Sequence, residues 1–167
     1  MGLSKVTILL GVYIIASASF AQQLWKFGQH FFGKPALLAL FVLLCAVLMA
    51  IILYASLKRK LGALRLALVF IITLGSFIFA WKQPFIAEKL HIIEYGLLAW
   101  LAIRDLDKKN RGILMAGLLA FIFTALVGVT DEGFQKLLPW RVCEIRDMIT
   151  NSVSAIFGIA AYLAMKK

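Results

Sequence analysis

Six apolar runs, near residues 6–21, 36–55, 64–81, 87–103, 113–130 and 148–165, constrain this chain more than any other feature. A helix needs roughly 20 apolar residues to cross the hydrocarbon of a bilayer, so a chain of 167 residues holds at most about six crossings with short connections. Composition agrees: 63% of the residues are hydrophobic and the mean hydropathy is +0.94, against roughly half apolar in a soluble domain. A water-soluble fold is excluded. The expectation is an all-α polytopic transmembrane helical bundle of about six spans, forming a single integral membrane domain over residues 1–167. The shortest runs must extend into their flanks or sit in locally thinned lipid.

The first run admits a second reading. Lys5, the apolar stretch after it and Ala18-Ser19-Phe20-Ala21 before Gln22 also fit a secretory signal with a small-residue cleavage site. Gly11 and the Ala and Ser content favour a retained, packed span, and either reading leaves the later spans in the same orientation.

Charge supplies that orientation. The chain carries 18 Lys and Arg against 8 Asp and Glu, a net charge of +10. No basic run is interleaved with stacking aromatics, so a nucleic-acid partner is not indicated; basic residues sorted into cytoplasmic loops explain the excess. Alternating the connections between two sides groups eleven of them: Lys5, Lys58, Arg59, Lys60, Arg65, Arg104, Lys108, Lys109, Arg111, Lys166 and Lys167. Lys26, Lys34, Lys82, Lys89, Lys136, Arg141 and Arg146, seven in all, fall on the other side. Both termini of a multi-pass protein are therefore expected in the cytoplasm. Six of the eight acids, Glu88, Glu94, Asp131, Glu132, Glu144 and Asp147, lie on the outer side, where acids do little for topology and so ask for another cause. Cys45 and Cys143 have no metal or redox spacing and read as unpaired thiols. Trp25, Trp81 and Trp100 fall near span ends as interfacial anchors.

Three polar clusters interrupt the later spans. His91, Glu94 and Tyr95 stand at i, i+3 and i+4, on one helical face with Glu88 one turn earlier. Asp131, Glu132 and Gln135 follow Gly128 within a turn of each other at the end of the fifth run, before Pro139. Arg141, Glu144, Arg146, Asp147 and Asn151 open the sixth, where Asp147, Asn151, Ser154 and Gly158 continue one small, polar face. Each cluster alone reads equally as an interfacial stripe, a capped loop or a helix-packing seam. Together they converge on one side of the membrane, and ionisable groups at that depth usually face a bundle interior or wet cavity.

The ordered string Glu88-Lys89-Leu90-His91 with Tyr95, then Gly128 with Glu132 and Gln135, then Pro139, Arg141, Asp147 and Asn151, resembles the VanZ-like membrane protein family. The resemblance covers about residues 84–160, a core preceded by the extra spans at about 6–21 and 36–55. Lys89, His91, Tyr95, Glu132, Gln135, Arg141, Asp147 and Asn151 fall on the family's polar positions; Trp140, Glu144 and Ser154 stand where Gly, Asp and Gly are usual. The resemblance implies a bacterial cytoplasmic-membrane protein of cell-envelope or glycopeptide-response biology, named after an accessory protein of teicoplanin resistance.

Four chemistries fit the clusters. An outward-facing polar pocket could recognise an anionic envelope lipid, a lipid-linked wall precursor or a glycopeptide without making bonds, with Lys89, Tyr95, Asp131, Gln135, Arg141 and Asn151 as binding groups and Arg suited to bidentate contact. The same pocket could be an enzyme in which His91, Glu94, Glu132 and Asp147 carry acid–base chemistry. A proton-coupled transporter and a purely structural set of buried ion pairs complete the list. His91, Glu94, Asp131 and Glu132 are hard metal ligands, but with His30 the only other histidine no zinc site is specified, and the sequence specifies neither a cofactor nor an oligomeric state.

Overall fold

The computed structural model describes residues 2–84, 86–108, 112–139 and 144–166. Among them are six helices and no strands: α1 (Lys5–Ser17), α2 (Ala21–Lys58), α3 (Ala63–Trp81), α4 (Ile86–Asp107), α5 (Ile113–Lys136) and α6 (Ile145–Met165). Of these, α2, α3, α5 and α6 are long and apolar enough to cross a membrane. The chain is thus a helical membrane bundle, though its helices do not all match the expected runs.

The first departure is α1. Ser4 caps it by accepting from the Thr7 amide at 3.3 Å, and a turn over residues 18–20 ends it after 13 residues. At 1.5 Å per residue that is about 20 Å, short of the roughly 30 Å hydrocarbon core. The second is α2, which begins at Ala21 rather than near residue 36 and runs for 38 residues. No breaker precedes Gly33, whose φ of 75° and ψ of 159° lie in a region open essentially to glycine alone. There the helix bends. Pro35 follows at once, where its missing N–H falls in the first turn of the second arm and costs little. In the first arm Phe20, Leu24, Phe27 and Phe31 recur at helical spacing and are exposed, while Gln22, Lys26 and Gln29 take the opposite side, the pattern of a helix lying in an interface.

The central element is α4, which touches every other helix. Its 22 residues are long enough to cross and match the run expected near 87–103, with Glu88, Lys89 and Glu94 near one end and Arg104, Asp105 and Asp107 near the other. Its middle is the core: Leu98, Ala99, Ala102 and Ile103 have no exposed surface. The crossing with α6 is set by glycines, since a Cβ added at Gly158 would overlap the Gly96 carbonyl. On the opposite flank Gly11 of α1 packs near Val127, Phe123 and Leu98.

Side-chain bonds fix which helix ends lie together. Asp105 accepts from the Ser4 amide at 2.9 Å and from the Thr7 hydroxyl, joining the start of α1 to the end of α4. Arg59 donates to the Met165 carbonyl at 3.3 Å, Arg65 to that of Lys166, and Tyr162 to Asp107 at 2.7 Å. One end of the bundle therefore gathers Lys58, Arg59, Lys60, Arg65, Arg104 and Lys166. The opposite end holds the C-termini of α3 and α5 and the N-termini of α4 and α6, and with them most of the acids.

Candidate functional site

At this acid-rich end three helices bring the polar clusters into contact. The α4 face supplies Glu88, His91, Glu94 and Tyr95; the last turns of α5 supply Asp131, Glu132 and Gln135; the first turns of α6 supply Arg146, Asp147 and Asn151, with Glu144 as its N-cap.

The cluster grades from a wet rim to a dry floor. At the rim the Arg146 side chain, 47% exposed, donates to Glu88 at 2.6 Å and lies 3.1 Å from Glu144 and 3.8 Å from Asp147. Further in, His91 Nδ1 stands 3.4 Å from Glu94 Oε2, too long for a good hydrogen bond, and its ring centroid is 5.8 Å from that of Tyr95. On the floor, Tyr95, Asp131 and Glu132 are fully buried. The Tyr95 hydroxyl donates to Asp131 Oδ2 at 2.9 Å. Glu132 accepts from Gln135 at 3.3 Å and from the Glu144 amide at 3.3 Å, which places a carboxylate at the positive N-terminal end of α6.

Asn151 sits beneath this floor with 1% exposure, and neither amide atom has a hydrogen-bond partner among the described residues. Its Cβ and Nδ2 lie 3.4 and 3.5 Å from where a Cβ on Gly128 would stand, and Tyr95 Cε1 is also at 3.4 Å. Gly128 is what admits the amide between α4 and α5. The Thr124 hydroxyl, one turn deeper on α5, is also buried with no partner among the described residues. Leaving such groups unpaired costs roughly 1–3 kcal/mol each, a cost that a ligand or water able to bond them would offset.

One expected member is elsewhere, and another lies outside the described residues. Lys89 turns away from the cluster and donates to the carbonyls of Ala80 at 3.2 Å, Trp81 at 2.7 Å and Gln83, closing the C-terminus of α3. Arg141 lies outside the described residues, as does Cys143. Glu88 and Arg146, read from the sequence as parts of these clusters, lie in the site, and Thr124 joins it without having been singled out. Glu88 precedes His91 by three residues and Arg146 stands between two acids, signals present in the sequence; Thr124 had none.

The described cluster thus presents six carboxylates against one guanidinium and one imidazole. Such a surface favours hydrogen-bond donors, namely hydroxyl, amide and amine groups, and the Asn151 amide adds one acceptor and two donors. Among the described residues no three His, Cys, Asp or Glu side chains converge closely enough to hold a metal ion. Compared with known families, the chain is matched by the model described as VanZ/LLP1 over residues 6–166, well beyond the segment that carries the polar motif. No curated protein and no solved structure matches it.

Proposed function

The chain belongs to the VanZ/LLP1 family of membrane proteins, and from that premise we propose that its acid-rich end faces outward from a bacterial cytoplasmic membrane and recognises the polar headgroup of a lipid-linked wall precursor or a glycopeptide, so altering glycopeptide susceptibility. One observation carries the reading: a fully buried Tyr95–Asp131–Glu132 floor beside an Asn151 amide with no partner among the described residues. Buried ionisable groups in a membrane bundle are expensive and mark function by default. The charge balance favours the lipid-linked precursor or glycopeptide over a simple anionic lipid. Lys89 is engaged by the carbonyls at the end of α3 and Arg146 by the rim carboxylates Glu88 and Glu144, and the acid-rich surface suits the hydroxyls, amides and amines of sugars and peptides.

The test is equilibrium binding of teicoplanin and of a purified lipid-linked wall precursor to the full chain in nanodiscs. Asn151→Ala is expected to weaken binding at least tenfold while the melting temperature holds or rises, since an unpaired amide is removed. Unchanged affinity in a folded variant overturns the proposal. A catalytic reading is favoured by His91 standing 3.4 Å from Glu94 beside the Tyr95–Asp131 bond; it requires a changed precursor mass after incubation, lost in Glu94→Gln.

A further inference from the structure

A second feature lies toward the basic end, away from the polar cluster. Between α2, α3, α4 and α6 runs a cavity of about 370 Å³, walled by Ile52, Ile72, Phe77, Ile93, Trp100 and Phe157. Its two lining hydroxyls are turned onto their own helix: Thr73 donates to the Val69 carbonyl at 2.8 Å and Ser76 to that of Thr73 at 2.7 Å. The walls are consequently apolar. Ile51 and Leu97 on its border are 56% and 47% exposed, so the cavity opens on the lipid-facing side of the bundle.

We infer that this cavity seats one acyl chain of an anionic phospholipid whose phosphate is held by Arg59. An apolar space in a bundle wall has no use for water, which needs two to four polar partners, and hydrocarbon is the surrounding medium. The headgroup choice follows from charge. Arg59 lines the cavity's basic end and spends one donor on the Met165 carbonyl, out of the five a guanidinium carries. Lys58 and Lys60 flank it, both exposed. The acids of this end are engaged: Asp105 by Ser4, Thr7 and Arg104, Asp107 by Tyr162 and Lys166. A guanidinium at the mouth of an apolar slot matches a phosphate joined to a tail, and Arg is suited to bidentate phosphate contact.

The full chain, stripped of lipid in mild detergent and titrated with dioleoyl phosphatidylglycerol or dioleoyl phosphatidylcholine, is read by native mass spectrometry. The expected result is one phosphatidylglycerol retained per chain, about tenfold more readily than phosphatidylcholine. Arg59→Gln is expected to erase that preference, and Ala161→Phe, which fills the cavity, to lower retention of both lipids. Wild-type preference in Arg59→Gln, or wild-type retention in Ala161→Phe, overturns the inference. Should Ala161→Phe fail to fold, phosphatidylglycerol with a photoreactive acyl chain decides on the unaltered protein. Crosslinks concentrated on Ile72, Phe77 and Phe157 support the site, and crosslinks spread evenly over exposed α2 and α5 residues refute it.

Discussion

The two ends of this bundle use the same residue types to opposite effect. At the basic end each carboxylate is answered within the fold: Asp105 holds Ser4, Thr7 and Arg104, and Asp107 holds Tyr162 and Lys166 at 2.7 Å. These bonds join α1 to α4 and α4 to α6. At the acid-rich end described carboxylates outnumber described cations, His91 stands at 3.4 Å from Glu94, and the Asn151 amide is buried without a partner among the described residues. A closed network contributes stability, whereas an open one keeps bonding capacity for something else. What separates the two ends is thus the buried Asn151 amide, unpaired among the described residues, rather than buried charge alone.

Four substitutions press on this contrast, beginning with the seam between the two ends. Gly158→Leu places side-chain atoms into the Gly96 carbonyl, and since backbone cannot give way the cost should exceed the roughly 1–3 kcal/mol usual for overpacking. Loss of a monodisperse peak in size-exclusion chromatography is the expected readout, and a folded variant would mean α4 and α6 can separate cheaply. Asp105→Ala comes next. Removing bonds to a charged acceptor should destabilise by about 2–3 kcal/mol, seen as a lower melting temperature, with ligand affinity in the surviving protein untouched.

Asp131→Asn should show the reverse. The amide oxygen still accepts from Tyr95, so the larger effect should fall on binding, with affinity for the precursor lowered tenfold or about 1.4 kcal/mol. Equal loss of stability at Asp105 and Asp131 would erase the distinction between the ends. The smallest effect belongs to Arg146→Gln, a half-exposed rim cation, where about 0.5 kcal/mol is expected by denaturation.

Parts of this were legible in advance. Spacing alone placed His91, Glu94 and Tyr95 on one face, and Asp131, Glu132 and Gln135 within one turn, because helical periodicity is local. The division of basic residues between two sides was readable for the same reason, from alternation of the runs. Lys89 was not. Its neighbours in sequence are site residues, yet its ammonium finds three carbonyls at the end of α3, a partner that no local pattern announces. The long α2 was missed because its first arm alternates aromatic and polar residues and lacks the uninterrupted apolar run that marks a crossing.

The amino-acid order by itself determined a helical membrane protein with one acid-rich and one basic end, since hydropathy and charge act residue by residue and survive any packing. Which carboxylates tie helices together, and where a polar amide is enclosed, was settled only when helices met. Gly96 against Gly158, Gly128 beside Asn151 and Tyr95 on Asp131 are contacts between segments about 25 to 60 residues apart in the chain. Bond capacity left over at a buried amide is a property of those meetings, because it depends on distances of a few ångströms that periodicity does not encode.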